Sequence, residues 1–591
     1  MATSEKYDRQ LRLWGSHGQK ALMDSHVVLL GSSAVGAETL KNLVLPGIGK
    51  FTVCDDATVT EADLGNNFFV TGADLGTGRA HVVCKHLCEM NDDVHGEAVG
   101  VSVASLVGTQ CEQLLALAPT LLIIANQPSA ITLQLSQLCA QQSPPTPLIV
   151  VRSYGFLGYM RLQLRDHDII EGKPDPSNGV IHDTRIYNSF LALESFCASI
   201  SLDDLEPYEH KHVPYIVILV QVLQTWRTQH NGNSPTRKDR EELTALVSAL
   251  SNNYSPPHLD EDSRKEFEQF KGIHYEDNFK EALKNISKLW APKNVRPELV
   301  TMLEAEHAAA TATATATATA NDTANNGKSN NMSNSDSSSS GHSNDYQLTH
   351  FSALLLALRA FMANNGGNVP HSGEIPDMVS TTSYFIALQR VYEAKALEDK
   401  EQIRSLANAK CKLAGIGPVS DEMLNLFCKN VYDITRCNHR TLLQEATECN
   451  MEEIQSALWD PAEQPEQTPI VWYFVMHAAD AFYNETGRYP GVDQGNTAED
   501  LSADVARVWQ LIKNRVAEVG LTAGLIDENF LSEKHAVELV RYGAVEMHNV
   551  SAIVAGIGSQ EAVKVITKQY VPIDNTYIYN GIACNGGKYT L

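Results

Sequence analysis

Between residues 26 and 165 the sequence alternates short, nearly unbroken apolar runs with amphipathic stretches. This rhythm constrains the fold more than any other feature of the 591-residue chain. HVVLLG (His26 to Gly31), KFTVCD (Lys50 to Asp55), GEAVGV, TLLIIA (Thr120 to Ala125) and PLIVVRS (Pro147 to Ser153) each predict a strand covered on both faces. Helices are predicted between them, from about Ala34 to Leu45, with Leu40, Leu43 and Val44 on one face, and from Leu75 to Met90. Buried parallel strands alternating with helices give a doubly wound, Rossmann-like α/β sheet. YMRLQLR (Tyr159 to Arg165) alternates apolar and polar residues instead, as an edge or antiparallel strand does.

From about 166 to 480 the chain turns helix-rich and charged. Three apolar, aromatic-ended segments there close on Gly-x-x-Pro, at Gly232 and Pro235, Gly367 and Pro370, and Gly487 and Pro490. Glycine suits a left-handed helix cap and proline blocks continuation, so the recurrence needs no common descent. An Ala/Thr tract followed by an Asn/Ser/Gly tract (308–345) lacks large apolar side chains other than Met332 and is expected to be disordered. The tail returns to α/β character. Val550 to Tyr570 predicts a helix whose Ala555, Gly556, Gly558 and Ala562 permit close packing, and DNTYIYNG (Asp574 to Gly581) predicts a strand. The simplest topology makes 1–165 and 481–591 two parts of one domain, with a mostly helical insertion at 166–480.

Lys plus Arg number 46 against 71 Asp plus Glu, a formal charge of −25. Such a surface repels nucleic acid and anionic membrane, and neither is expected as a partner. The N-terminal stretch has no apolar h-region, and no run approaches the ~18 apolar residues of a membrane span. The 11 cysteines form no CxxC pair and no disulfide framework, which points to a reducing cytosolic or nuclear setting. His210 and His212 flank Lys211, and His81 and His86 do not share a helix face, so these histidines suggest no metal site.

A working phosphate turn needs glycines so that backbone amides can approach the ligand at a helix N-terminus. Here the turn reads Gly31-Ser32-Ser33-Ala34-Val35-Gly36, with Ser33 where a bare backbone is most needed. The acidic residue expected at the end of the second strand to hold ribose is present as Asp55, followed by Asp56. Alone, these features describe a degenerate dinucleotide fold, for which a hydride-transfer enzyme is one candidate.

The arm YDRQLRLWG (Tyr7 to Gly15) ahead of this unit, KNLVLPGIGKFTV, CDDATVTEADLGNNFFV (Cys54 to Val70), DLGTGRA (Asp74 to Ala80), YGFLGYMRL, RYPGV, the tail helix and TYIYNG occur in the order found in the ubiquitin-like modifier activating enzymes. The whole chain resembles their regulatory subunits, specifically those of the neddylation pathway, apart from the low-complexity tract and parts of 231–300. The resemblance implies a ThiF-like adenylation domain with altered site residues. Ser33 interrupts the GxGxxG turn between Gly31 and Gly36, and Ala57 replaces a second acidic residue after Asp55. Asn66 replaces an arginine that contacts ATP phosphates, Arg79 a lysine, and Gln127 the aspartate that binds magnesium. Without a carboxylate for magnesium the pyrophosphate leaving group is not neutralised, so no cofactor or metal is expected on this chain.

No cysteine lies in the Cys-Thr motif of the family, so the insertion resembles a cysteine domain without its nucleophile. By the same resemblance, Arg9 on the N-terminal arm is expected to reach ATP bound with magnesium by a catalytic partner subunit. A guanidinium can fork onto two phosphate oxygens, whereas an arginine on a surface arm can equally pair with a carboxylate of its own chain. Arg12 and Trp14 are expected to pin the arm to the fold. The implied function is that of a regulatory subunit, no enzyme by itself, in a heterodimer that adenylates a ubiquitin-like modifier and passes it to a conjugating enzyme. Two alternatives stay open: a homodimeric adenylyltransferase for a modifier or sulfur-carrier protein, and a non-enzymatic scaffold.

Overall fold

The computed structural model describes residues 6–173, 182–256, 259–269, 271–291, 294–325, 348–459, 467–492, 498–521 and 530–591. They divide into two compact units, one made of 1–173 with 436–591 and the other of 174–435.

The first unit begins with helix α1 (Asp8–Met23), followed by β1 (His26–Leu30), α2 (Ala34–Val44), β2 (Lys50–Cys54), α3 (Arg79–Cys88) and β3 (His95–Val99). It continues through β4 (Leu121–Ala125), α4 (Ser129–Gln141), β5 (Leu148–Tyr154) and β6 (Leu157–Gln163). After the second unit come α5 (Val471–Thr486), α6 (Ala498–Glu518), α7 (His548–Thr567), β7 (Thr576–Asn580) and β8 (Asn585–Tyr589). The strands form one sheet in the order β8-β7-β6-β5-β4-β1-β2-β3. β1 runs parallel to β2 with His26 opposite Lys50 and parallel to β4 with Val27 opposite Leu121, while β5–β6, β6–β7 and β7–β8 are antiparallel.

β6 is antiparallel, as its alternation suggests, but it is an interior strand and every one of its residues is buried. Its alternation survives because the polar member, Arg161, donates from Nε to Glu445 Oε2 at 2.7 Å and from Nη2 to the Arg440 carbonyl. One side of the sheet, with Val27, Leu29, Ile123 and Val151, packs against α2 and α7. The other side, with Val28, Leu30, Ile124 and Val150, packs against α5 and residues of α6. Close approach of the tail helix depends on glycine. A Cβ on Gly558 would lie 2.8 Å from Val151 Cγ1, and one on Gly158 would lie 2.2 Å from Val554 Cγ2. Gly556, expected to share this role, faces open space. By length and composition α7 could cross a membrane, yet 61% of its apolar window is buried inside the fold.

The insertion is shorter than the expected 166–480, because the sheet unit resumes at Arg436. The reason is burial: Val471, Trp472, Phe474 and Val475 of α5 lie in the same apolar cluster as the sheet residues Ile124 and Val150. The second unit is helical and is built around Tyr215–Gln229, which is apolar nearly all round, and includes His350–Asn364 and Thr382–Leu413. Gly232, Gly367 and Gly487, after the three aromatic-ended helices, all adopt positive φ (81°, 82° and 76°).

The Ala/Thr tract differs from expectation over 308–325, which continues a helix spanning Pro297–Asn325. Alanine has the highest helix propensity, and Thr311 and Thr313 donate back to the carbonyls of His307 and Ala309. The remainder of the expected disordered segment, 326–345, lies outside the described residues.

Candidate functional site

The carboxyl ends of β1, β2 and β4 converge on the turn from Gly31 to Gly36, the place where doubly wound sheets bind nucleotides. Gly31 has φ of +92°, and a Cβ there would meet Gln127 Nε2 at 2.5 Å and the Ala125 carbonyl at 2.6 Å. A Cβ on Gly36 would lie 2.5 Å from the Gly31 carbonyl oxygen, so both outer glycines are needed for the turn itself. Ser33 is extended (φ −66°, ψ 175°) and is the N-cap of α2.

Asp55 is where the ribose ligand is expected, but its oxygens already have partners. Oδ2 accepts the Ser32 amide (2.8 Å), the Ser32 hydroxyl (2.6 Å) and Arg79 Nε and Nη2 (3.1 and 2.9 Å), while Oδ1 accepts the Ala57 amide (2.9 Å). Arg79 also donates from Nη1 to Asp63 Oδ1 at 3.0 Å. Burial alone would push the Asp55 carboxyl upward. Arg79 and the Ser32 and Ala57 bonds outweigh it, and the group titrates below the usual aspartate range.

The phosphate end of the turn is filled from the far end of the chain. The Val35 amide, in the first turn of α2, donates to Glu546 Oε2 at 2.7 Å across 511 residues. Asn66 Nδ2 donates to the Glu546 carbonyl (3.2 Å) and Asn67 Nδ2 to the Ser32 carbonyl (3.1 Å), so the asparagines tie the tail and the turn together. Gln127 Nε2 donates to the Ala125 carbonyl at 3.1 Å and lies against Gly31. The structure therefore brings Gly31, Ser33, Gly36, Asp55, Ala57, Asn66, Arg79 and Gln127 into one locus. It adds Ser32, Asp63 and Glu546, which sequence reasoning missed. Asp63 is signalled by the capping box it makes with Thr60; nothing in the sequence around Glu546 signals its role.

Arg9 stands apart from that locus, on α1. This helix lies against the fold. Tyr7 is buried with its hydroxyl on Asn91 and Asp93, and the α1 residues after a kink at Gly15 (φ 71°) include the buried Gly18, Gln19 and Leu22. Trp14 does anchor the helix: its indole donates to Gln19 Oε1 (3.1 Å), and its carbonyl accepts from Gln569 Nε2 (2.8 Å). Arg12 does not pin the arm. It is 79% exposed and pairs with Asp8 one turn away on the same helix. Arg9 itself is exposed, with no ionic or hydrogen-bond partner among the described residues.

The described cysteines are all free. Burial pushes the thiols of Cys54, Cys84, Cys139, Cys197 and Cys428 up to about 12, which makes them poor nucleophiles at neutral pH. His210 is buried, with Nδ1 2.7 Å from Glu276 Oε1. Among the described residues no three His, Cys, Asp or Glu side chains converge on a metal position.

The sheet order and the glycine turn define the class, a ThiF-type adenylation fold, and the ThiF family pattern matches residues 7–183. Solved structures similar to parts of the chain include E. coli MccB with ATP (TM-score 0.25, 16% identity, 28% of this chain and 50% of that chain). Another is E. coli TcdA, a tRNA N6-threonylcarbamoyladenosine dehydratase, with AMP (TM-score 0.23, 18% identity, 30% and 69%). Full-length similarity is more specific. The chain is 31% identical to the NEDD8-activating enzyme E1 regulatory subunit of Danio rerio over 99% of its own length and 98% of that protein's. It is 32% identical to that of Xenopus laevis (99% and 98%) and 33% identical to the subunit AXR1 of Arabidopsis thaliana (98% and 94%). The chain belongs to the family of NEDD8-activating enzyme E1 regulatory subunits.

Proposed function

We propose that this chain is the non-catalytic half of a heterodimer that activates a NEDD8-type ubiquitin-like modifier. One observation carries the reading: the chain's own side chains occupy the positions a nucleotide would need, while the exposed Arg9, apart from that locus on α1, has no partner among the described residues. The catalytic subunit supplies the ATP site, the magnesium ligands and the cysteine, and this chain binds no cofactor of its own. Arg9 reaches the partner's ATP and stabilises charge as the pyrophosphate leaves, a role suited to a permanently protonated planar group. The assembled pair passes the modifier to a conjugating enzyme. The work is done in the cytoplasm, and in the nucleus where the pathway operates there.

The test is modifier-dependent ATP–pyrophosphate exchange by this chain alone, by the catalytic subunit alone and by the two mixed. Exchange only in the mixture, lowered by Arg9→Ala without loss of complex on gel filtration, supports the reading. Exchange by this chain alone sinks it. Full activity of the Arg9→Ala complex removes the role given to Arg9.

A further inference from the structure

A helix N-terminus with a free amide attracts anions, and in nucleotide-binding folds the anion is a phosphate. In this chain the amide at the start of α2 is not free: the carboxylate of Glu546, only 9% exposed, accepts it at 2.7 Å. We propose that Glu546 is a built-in phosphate surrogate that keeps nucleotide and pyrophosphate out of this chain's own turn. The inference rests on the non-catalytic reading above and explains how that state is maintained.

Three features support it. The carboxylate is delivered by the residues just ahead of α7, and Gly155 both bonds to Val545 and bridges to Glu546, so its backbone is fixed. Gln127 lies over Gly31 and Arg79 over Asp55, so the surfaces for phosphate, pyrophosphate and ribose are all covered by protein groups. A buried carboxylate also repels a second anion, because two like charges cannot share one desolvated site. Burial raises the Glu546 carboxyl above its ordinary range against the pull of the Val35 amide, Ser33, Asn126 and Arg79, so occupation of the amide, and not charge alone, keeps a phosphate out. Nucleotide exclusion is thus active, beyond the mere loss of ligands, and removing one carboxylate should restore anion affinity.

The full-length chain is titrated with pyrophosphate, and separately with ATP and magnesium, by calorimetry and thermal melting. The wild type is expected to bind neither at millimolar concentration. Glu546→Ala is expected to bind pyrophosphate at least about tenfold more tightly than the wild type and to melt higher in its presence. Adding Val35→Pro, which removes that amide in the first turn of α2, should cancel the gain in a double variant that melts cooperatively like Glu546→Ala alone. A folded Glu546→Ala chain with wild-type pyrophosphate affinity overturns the proposal and leaves the non-catalytic reading standing. Tight ATP binding by the wild type overturns both. Should Glu546→Ala fail to fold, Glu546→Gln keeps an acceptor for Val35 while removing the charge. About a threefold gain is then expected, and unchanged affinity overturns the proposal.

Discussion

Arg79 and Arg9 lie in the same sheet unit, yet the molecule uses them in opposite ways. Arg79 is 18% exposed and spends its donors on Asp55 and Asp63. Arg9 is exposed and meets no acidic group among the described residues. One charge is consumed inside the glycine-turn locus; the other is left at the surface. On the non-catalytic reading proposed above, which polar groups are satisfied internally matters as much as which residues are missing.

The sharpest way to break the contrast is Arg79→Ala. It leaves two acidic groups facing each other without a counter-charge, and a loss of about 3–5 kcal/mol is expected in urea unfolding. Loss below about 1 kcal/mol would mean that the clamp is ornamental. Arg9→Ala should leave the unfolding curve unmoved and lower the exchange rate of the heterodimer by about 10²-fold, near 2.7 kcal/mol of barrier. A parallel fall in stability would place Arg9 in the same structural class as Arg79.

Acid sharpens the comparison further. Asp55 titrates below its unfolded value of about 3.9. Its contribution is therefore complete above that value and is lost as pH falls through the lower folded pKa. The stability difference between wild type and Arg79→Ala should hold steady from neutrality to about pH 5 and shrink below about pH 4. A difference that stayed constant through pH 3 would assign the effect to packing of the guanidinium. The smallest effect belongs to Arg12→Ala, which removes an exposed pair with Asp8 on one helix and should cost at most about 0.5 kcal/mol, with exchange activity unchanged.

Much of this was legible in the sequence, and the misses share a cause. The parallel strands were readable because strands buried on both faces are apolar throughout, as in β4. Ser33, Asn66, Arg79 and Gln127 stood out against the family's site pattern. What they touch was not readable, since local pattern does not reveal that Glu546 meets Val35 across 511 residues. The end of the insertion is not legible, because α5 is an apolar helix like those before it and periodicity does not say which core a helix joins. Burial patterning does not reveal the helix in the Ala/Thr tract, because alanine favours helix at no cost in side-chain entropy.

The position of β6 between β5 and β7 has a consequence in time. Its partner on one side, β5, precedes it immediately, whereas Thr576 to Asn580 on the other side lies near the end of the chain. At 5–20 residues per second, roughly 400 intervening residues take on the order of 20–80 s to synthesise. A sheet assembled during that interval would carry β6 with one edge unpaired, and without α7 over its face. The helical insertion and the segment of the sheet unit that follows it therefore act together as a delay during which this half-built sheet must be shielded from other nascent chains.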